Sequence, residues 1–269
     1  GVDDSLRIAY AVDQYFGQAY AVQASETPLS ISGNRPMLMQ PVEGAQTTVV
    51  SGQALEWSGK LICSQGLPGI RAWAASQGAA VRPKSMRYTL QSPQGPVGHA
   101  AIEFFKDGTS LGVVQCDDKG VAVTELLPGK YTARISSFGR EVREHEFEIG
   151  EESLSETLSM VSASRVAATI VDGDNRFIPA KVQFIGVAPT VDPDFGPDSG
   201  TYAIKNLVYT ASGKFEQPIA PGKYEVIFSH GPEFDIATQE IEVQSGKLLS
   251  LVTIKLPRTV DTSGWVSAD

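Results

Sequence analysis

The chain has 269 residues, a formal net charge of −9 and a pI near 4.9, with 42% hydrophobic and 20% charged residues. That composition is globular rather than disordered, and an acidic balance without a basic stripe excludes nucleic acid as a natural partner. No run of 18 apolar residues predicts a membrane-spanning helix, and 26 Gly with 16 Pro favour many short strands over long helices.

Residues 1–95 read as a first module. Leu6–Val12 and Gln18–Val22 alternate well enough for strands. Their alanines also permit a helix from Ser5 to Ala24, against which Gly17 counts. Pro28, Pro36 and Pro41 break the chain into extended pieces, and Val42–Val50 and Ala54–Cys63 are further strand candidates. Gly66-Leu67-Pro68-Gly69-Ile70-Arg71-Ala72-Trp73-Ala74 reads as a Pro-Gly turn followed by a strand, and Met86–Leu90 as the strand that closes the module. The opening Gly1-Val2-Asp3-Asp4 fits a chain already trimmed of an export signal. Compartment is left open, with the acidic balance pointing to a periplasmic or secreted setting.

Residues 96–162 form the second module. Ala100–Phe105 and Leu111–Cys116 are strands around the turn Lys106-Asp107-Gly108-Thr109, where Asp-Gly supplies the positive φ of a tight hairpin. After Asp117-Asp118-Lys119-Gly120 come strands over Val121–Leu126, Tyr131–Ile135, Glu141–Ile149 and Leu154–Met160. Arg140, Arg143, Glu144, Glu146 and Glu148 mark a solvated strand face. Residues 163–257 form the third module, with strands over Val166–Val171, Ala180–Ile185, Asn206–Tyr209, Lys214–Glu216, Tyr224–Phe228, Thr238–Val243 and Leu249–Ile254. A long acidic loop, Pro189 to Gly200, interrupts it.

One pattern occurs twice. Leu127-Pro128-Gly129-Lys130-Tyr131 follows Gly120 at the step by which Ala220-Pro221-Gly222-Lys223-Tyr224 follows Gly213. Each reads as turn, strand, Pro-Gly turn of type II, and a strand with one buried face. With Leu67-Pro68-Gly69 as a third copy, the chain is predicted to be all-β, built from tandem small β-sandwich modules.

Catalytic signals are few. His99, His145 and His230 have no partner at metal-ligand spacing, and no nucleophile elbow or phosphate loop is present. Cys63 and Cys116 read as two buried thiols rather than a disulfide framework. Asp192, Asp194 and Asp198 are the one local candidate for a metal, Ca²⁺, although they lack EF-hand spacing and a closing Glu. Trp57, Trp73 and Trp265 are too scattered for a sugar-stacking platform. No cofactor is predicted.

The third module resembles the carboxypeptidase-regulatory-like, transthyretin-like (Ig-like) sandwiches at Ile178-Pro179-Ala180-Lys181-Val182, Ser212-Gly213-Lys214-Phe215 and Pro221-Gly222-Lys223-Tyr224. Ser229-His230-Gly231-Pro232-Glu233-Phe234-Asp235 and Asp261-Thr262-Ser263-Gly264-Trp265-Val266-Ser267-Ala268-Asp269 are similar to the lead-in of a metal-dependent hydrolase domain. That domain belongs to the polymerase-and-histidinol-phosphatase (PHP) group, in its carbaryl-hydrolase-like branch, where such a segment runs into a His-x-His motif. The resemblance implies that residues 258–269 link the sandwiches to a catalytic domain in the same polypeptide. It also implies that this chain alone is not an enzyme. Phe195, Trp265 and Val266 are then the expected interface residues, and self-association is left open. The rival expectation is a binding module for a glycan, a peptide or a cell-surface partner.

Overall fold

The structure, a computed structural model, describes residues 1–3, 5–13, 17–24, 29–31, 39–41, 51–52, 59–196 and 203–264. It divides into two units: residues 1–136 with 142–160, and residues 137–141 with 161–269. Among the described residues it is strands and one helix, so the all-β expectation holds.

The first unit begins with a sheet in which Val2–Asp3 precedes β1 (Ile8–Asp13), β2 (Gln18–Ala24) and β3 (Gly59–Gln65) in antiparallel order. The alternation that pointed to strands over Leu6–Val22 therefore outweighs the helix that its alanines allowed. Ile8, Ala19 and Ala21 are its buried side chains, as period-two strands require. Val42–Val50 and residues 53–58 lie outside the described residues.

The expected Pro-Gly turn and strand over Gly66–Ala74 is overturned. Leu67–Ala75 is a helix, α1. Pro68 stands in its first turn, where a missing N–H leaves no bond unmade. Leu67, Ile70 and Ala74 recur at three and four residues, the helical period, and bury against Ile8, Ala19 and Ala21. Trp73 joins the same cluster, with the Lys60 ammonium 5.3 Å from its ring centroid. The predicted third copy of the repeat is thus a helix.

The rest of the first unit is a sandwich. One sheet runs β6 (Thr109–Gln115), β5 (Ala101–Lys106), β8 (Gly129–Ser136), β9 (Arg143–Ile149); the other runs β7 (Val121–Leu126), β4 (Lys84–Ser92), β10 (Leu154–Ser159). Strand β4 lies in this sandwich and not in a separate 1–95 module. It pairs antiparallel with β7 and parallel with β10, and it buries Met86, Tyr88 and Leu90 in one core with Ile102, Phe104 and Ile135. The Asp107-Gly108 hairpin has φ of +49° and +75°, the two positive values of a type I′ turn. The Asp117–Gly120 turn has a different task from the hairpin, because β6 and β7 belong to different sheets. The Asp117 carboxylate accepts the N–H groups of Lys119 and Val121 at 2.9 and 2.8 Å and carries the chain across. Helix α1 packs on β6 and β7 at a bulge. There Gly112 has φ +119°, and a Cβ would stand 2.8 Å from that of Leu67.

The second unit repeats the topology. One sheet is β14 (Lys214–Pro218), β11 (Arg165–Val171), β17 (Leu248–Ser250), with β18 (Ile254–Lys255) also on β11. The other continues from Ala203–Ile204 through β13 (Leu207–Thr210), β12 (Ala180–Gly186), β15 (Gly222–Ser229) and β16 (Ala237–Val243). Strand β11 is antiparallel to β14 and parallel to β17, as β4 is to β7 and β10.

The two Pro-Gly-Lys-Tyr segments occupy the same connection, β7 to β8 and β14 to β15. They are not type II hairpin turns. Gly129 and Gly222 have φ of +146° and +155°, far from the value near +80° of such a turn, and each glycine opens a strand as the chain crosses between sheets. The tyrosine then turns back. The Tyr131 hydroxyl donates to Leu127 O at 2.6 Å, and that of Tyr224 to Ala220 O at 2.8 Å.

Candidate functional site

The acidic loop places its carboxylates on its own backbone. Asp192 Oδ1 accepts the Gly186 N–H at 2.8 Å and Asp194 Oδ1 accepts the Gly196 N–H at 3.1 Å, while Asp198 lies outside the described residues. Thr190 Oγ1 accepts the Lys223 N–H at 3.0 Å and ties the loop to β15. Phe195, expected at an interface, is instead 8% exposed and meets Phe184 edge to face in the core of the second sandwich. A loop of this length needs an apolar anchor, and Phe195 supplies it. Among the described residues, no group of three or more His, Cys, Asp or Glu could hold a metal ion.

The histidines fall in three separate places. His99 meets Asp118 at 2.9 Å on an exposed surface. His230 packs edge to face on Phe234, with ring centroids 4.4 Å apart. His145 Nε2 lies 2.5 Å from Glu156 Oε2, and this pair links β9 of one sheet to β10 of the other. Beneath it the Tyr88 ring meets His145 and Phe147 edge to face. The Tyr88 hydroxyl is buried without a hydrogen-bond partner, and burial, then the nearby Glu156 charge, pushes its pKa up. By strand register the second sandwich has Ala168, Leu251 and Gln239 where the first has Tyr88, Glu156 and His145, so this ionisable cluster belongs to one copy of the repeat.

The cysteines differ from each other as well as from the expectation of two buried thiols. Cys63 is exposed, whereas Cys116 is buried, and burial, then Asp117, pushes its thiol up to about 12.

The outer face of the β5–β8–β9 sheet is a shallow groove of about 760 Å³. Register sets its rows: Arg134 and Glu144; then Phe105, Thr132 and Glu146; then Lys130 and Glu148 beside the Asp107-Gly108 turn. The face that the alternation marked as solvated is therefore a lined groove, with Phe105 in its middle row.

The tail has defined structure through residue 264, while Trp265 and Val266 lie outside the described residues. Glu233 is its main holder. Its main-chain oxygen accepts the N–H groups of Thr259 and Val260 at 2.9 and 3.1 Å. Its carboxylate pairs with Arg258 at 2.7 Å and accepts the Thr262 hydroxyl at 2.5 Å. The Asp261 carboxylate accepts both the hydroxyl and the N–H of Ser263, and these bonds lower its pKa. Nothing in the spacing of Glu233 and residues 258–262 announces this contact, because the partners are some 25 residues apart and polar.

Comparison with protein-family models and with curated proteins gives no match. Among solved structures the chain is similar to the shaft pilin SpaA of Lactobacillus rhamnosus GG, at 10% identity and a TM-score of 0.40, over 66% of this chain and 99% of that one. A streptococcal ancillary pilin matches at 11% identity and 0.33, over 66% of this chain and 62% of the pilin. The Bacillus anthracis TIE protein matches at 15% identity and 0.28, over 92% of this chain and 45% of that protein.

Proposed function

We propose that the chain is the non-catalytic, all-β accessory region of a larger metal-dependent hydrolase of the PHP group, which holds and orients a following catalytic domain. The observation that carries this reading is the tail. Gly264-Trp265-Val266-Ser267-Ala268-Asp269 resembles the segment that leads into the metal site of that group, and it stands directly after a sandwich. Asp269 is the one residue that matches the metal-site segment, and a single carboxylate does not hold a metal with an activated water. The metal chemistry is therefore assigned to the following domain, with Trp265 and Val266 as its contacts. The test is the polypeptide encoded past Asp269. A His-x-His within a few residues is expected. The longer protein should hydrolyse phosphomonoesters or aryl esters with Mn²⁺ or Zn²⁺, while the 269-residue chain stays at background. A stop codon directly after Asp269 overturns the reading.

The second reading is a binding module, and the groove over Phe105, Arg134 and Glu146 is the observation that favours it. Binding of an oligosaccharide or peptide to the chain, lost in Phe105→Ala with the fold intact, would establish it.

A further inference from the structure

We infer that Glu233 is the positioning residue of the exit from the second sandwich. By holding residues 258–263 against the 229–235 loop it fixes the direction in which the chain leaves. Apolar packing does not do this. Among the described residues Leu256 is the last fully buried side chain, and Arg258, Thr259, Val260 and Asp261 are exposed. Order beyond residue 257 must come from polar bonds, and four of them converge on Glu233, two on its main-chain oxygen and two on its carboxylate.

The carboxylate closes a triangle. Arg258 donates to Thr262 Oγ1 at 2.5 Å, and the Thr262 hydroxyl donates to Glu233 Oε1. A charge-assisted contact to Arg258 completes it. The loop that presents Glu233 is itself pinned on both sides. Asp235 N–H donates to Pro257 O at 3.0 Å, Phe234 bridges to Arg258, and the Phe234 ring rests on His230. A plain tether would have no need of such a set, since a flexible linker is solvated along its backbone. The clasp stands on its own geometry. Its purpose, to orient a domain, rests on the reading that a domain follows.

The test has two arms. Amide hydrogen exchange is measured on the 269-residue chain, native and Glu233→Ala. Thr259 and Val260 should exchange at least about tenfold more slowly than free peptide in the native chain, and lose that protection in Glu233→Ala while β15 is unchanged. The charge-swapped pair Glu233→Arg with Arg258→Glu should regain part of it. In the second arm a small reporter domain replaces residues 265–269, and its ¹⁵N relaxation is recorded. It should tumble with the sandwich in the native background and independently in Glu233→Ala. Unprotected amides in the native chain, or a reporter whose tumbling ignores Glu233, overturn the inference. If the clasp holds and no hydrolase is encoded past Asp269, the functional reading fails and the exit geometry stands. If the clasp fails while the hydrolase is present, the reverse is true.

Discussion

The corner tyrosines give the sharpest test of the duplicated fold. Tyr224 is 2% exposed, with its ring edge to face on Phe184, and its hydroxyl donates to Ala220 O. Tyr131 is 5% exposed, stacks on Phe147, and donates to Leu127 O. Tyr224→Phe keeps the ring and removes one hydrogen bond, which should cost about 1 kcal/mol. The acceptor carbonyl belongs to an exposed residue and regains water, so the cost stays at that level. Tyr224→Ala removes the ring from a fully buried site and should cost about 3–5 kcal/mol. Tyr131→Phe should match Tyr224→Phe to within about 0.5 kcal/mol, because the two sites make the same bond in the same connection. Urea unfolding, with hydrogen exchange of β8 and β15 to assign each transition, reads both numbers. Only the unit that carries the substitution should move. Tyr→Phe changes of zero in one copy and a full bond in the other would refute the equivalence of the corners.

Alkaline pH should act unequally on the units. Burial pushes Tyr88, Tyr131 and Tyr224 above the ordinary value of 10.0, so the stability they contribute is present below pH 10 and lost as pH rises above it. A group held protonated in the folded state adds a downward slope of at most about 1.4 kcal/mol per pH unit, so the unit with Tyr88, Tyr131 and Cys116 should weaken faster than the one with Tyr224, as urea midpoints from about pH 8 to about pH 11 would record. Tyr88→Phe should leave stability unchanged or raise it by up to about 1 kcal/mol, since the lost hydroxyl has no partner; a clear destabilisation would mean that it has one. Gly112→Ala should cost about 1–3 kcal/mol by thermal unfolding, because its φ is +119° and the new methyl meets Leu67. A thiol reagent should label Cys63 at once and Cys116 only on unfolding.

Local chemistry made much of this legible. Alternation placed the strands, Asp107-Gly108 placed a hairpin, and the recurring Pro-Gly-Lys-Tyr placed two equal corners. What failed was long-range or ambiguous. Leu67-Pro68-Gly69 carries the same dipeptide as the corners, but the apolar spacing Leu67, Ile70, Ala74 outweighs it, and that spacing was there to be read. Strand β4 looks like the end of what precedes it, because its partners β7 and β10 begin only at Val121 and Leu154. Phe195 sits among prolines and aspartates, where a ring looks exposed, and only the three-dimensional path of the loop turns it inward. The Glu233 clasp is made of polar groups that carry no periodicity at all.

The parallel pairing of first and last strands has a mechanical consequence. In the first unit's sandwich, β4 and β10 run side by side in the same direction over six residue pairs. In the second, β11 is held in the same way by β17 and β18, over three and two pairs. Tension applied through the chain pulls the start of the first strand and the end of the last in opposite directions along their common axis. The hydrogen bonds between them are then loaded together in shear and cannot open one at a time like a zip. A single-molecule pulling experiment should therefore show two abrupt, separate rupture events of high force. The sandwich with six pairs should yield after the one with five.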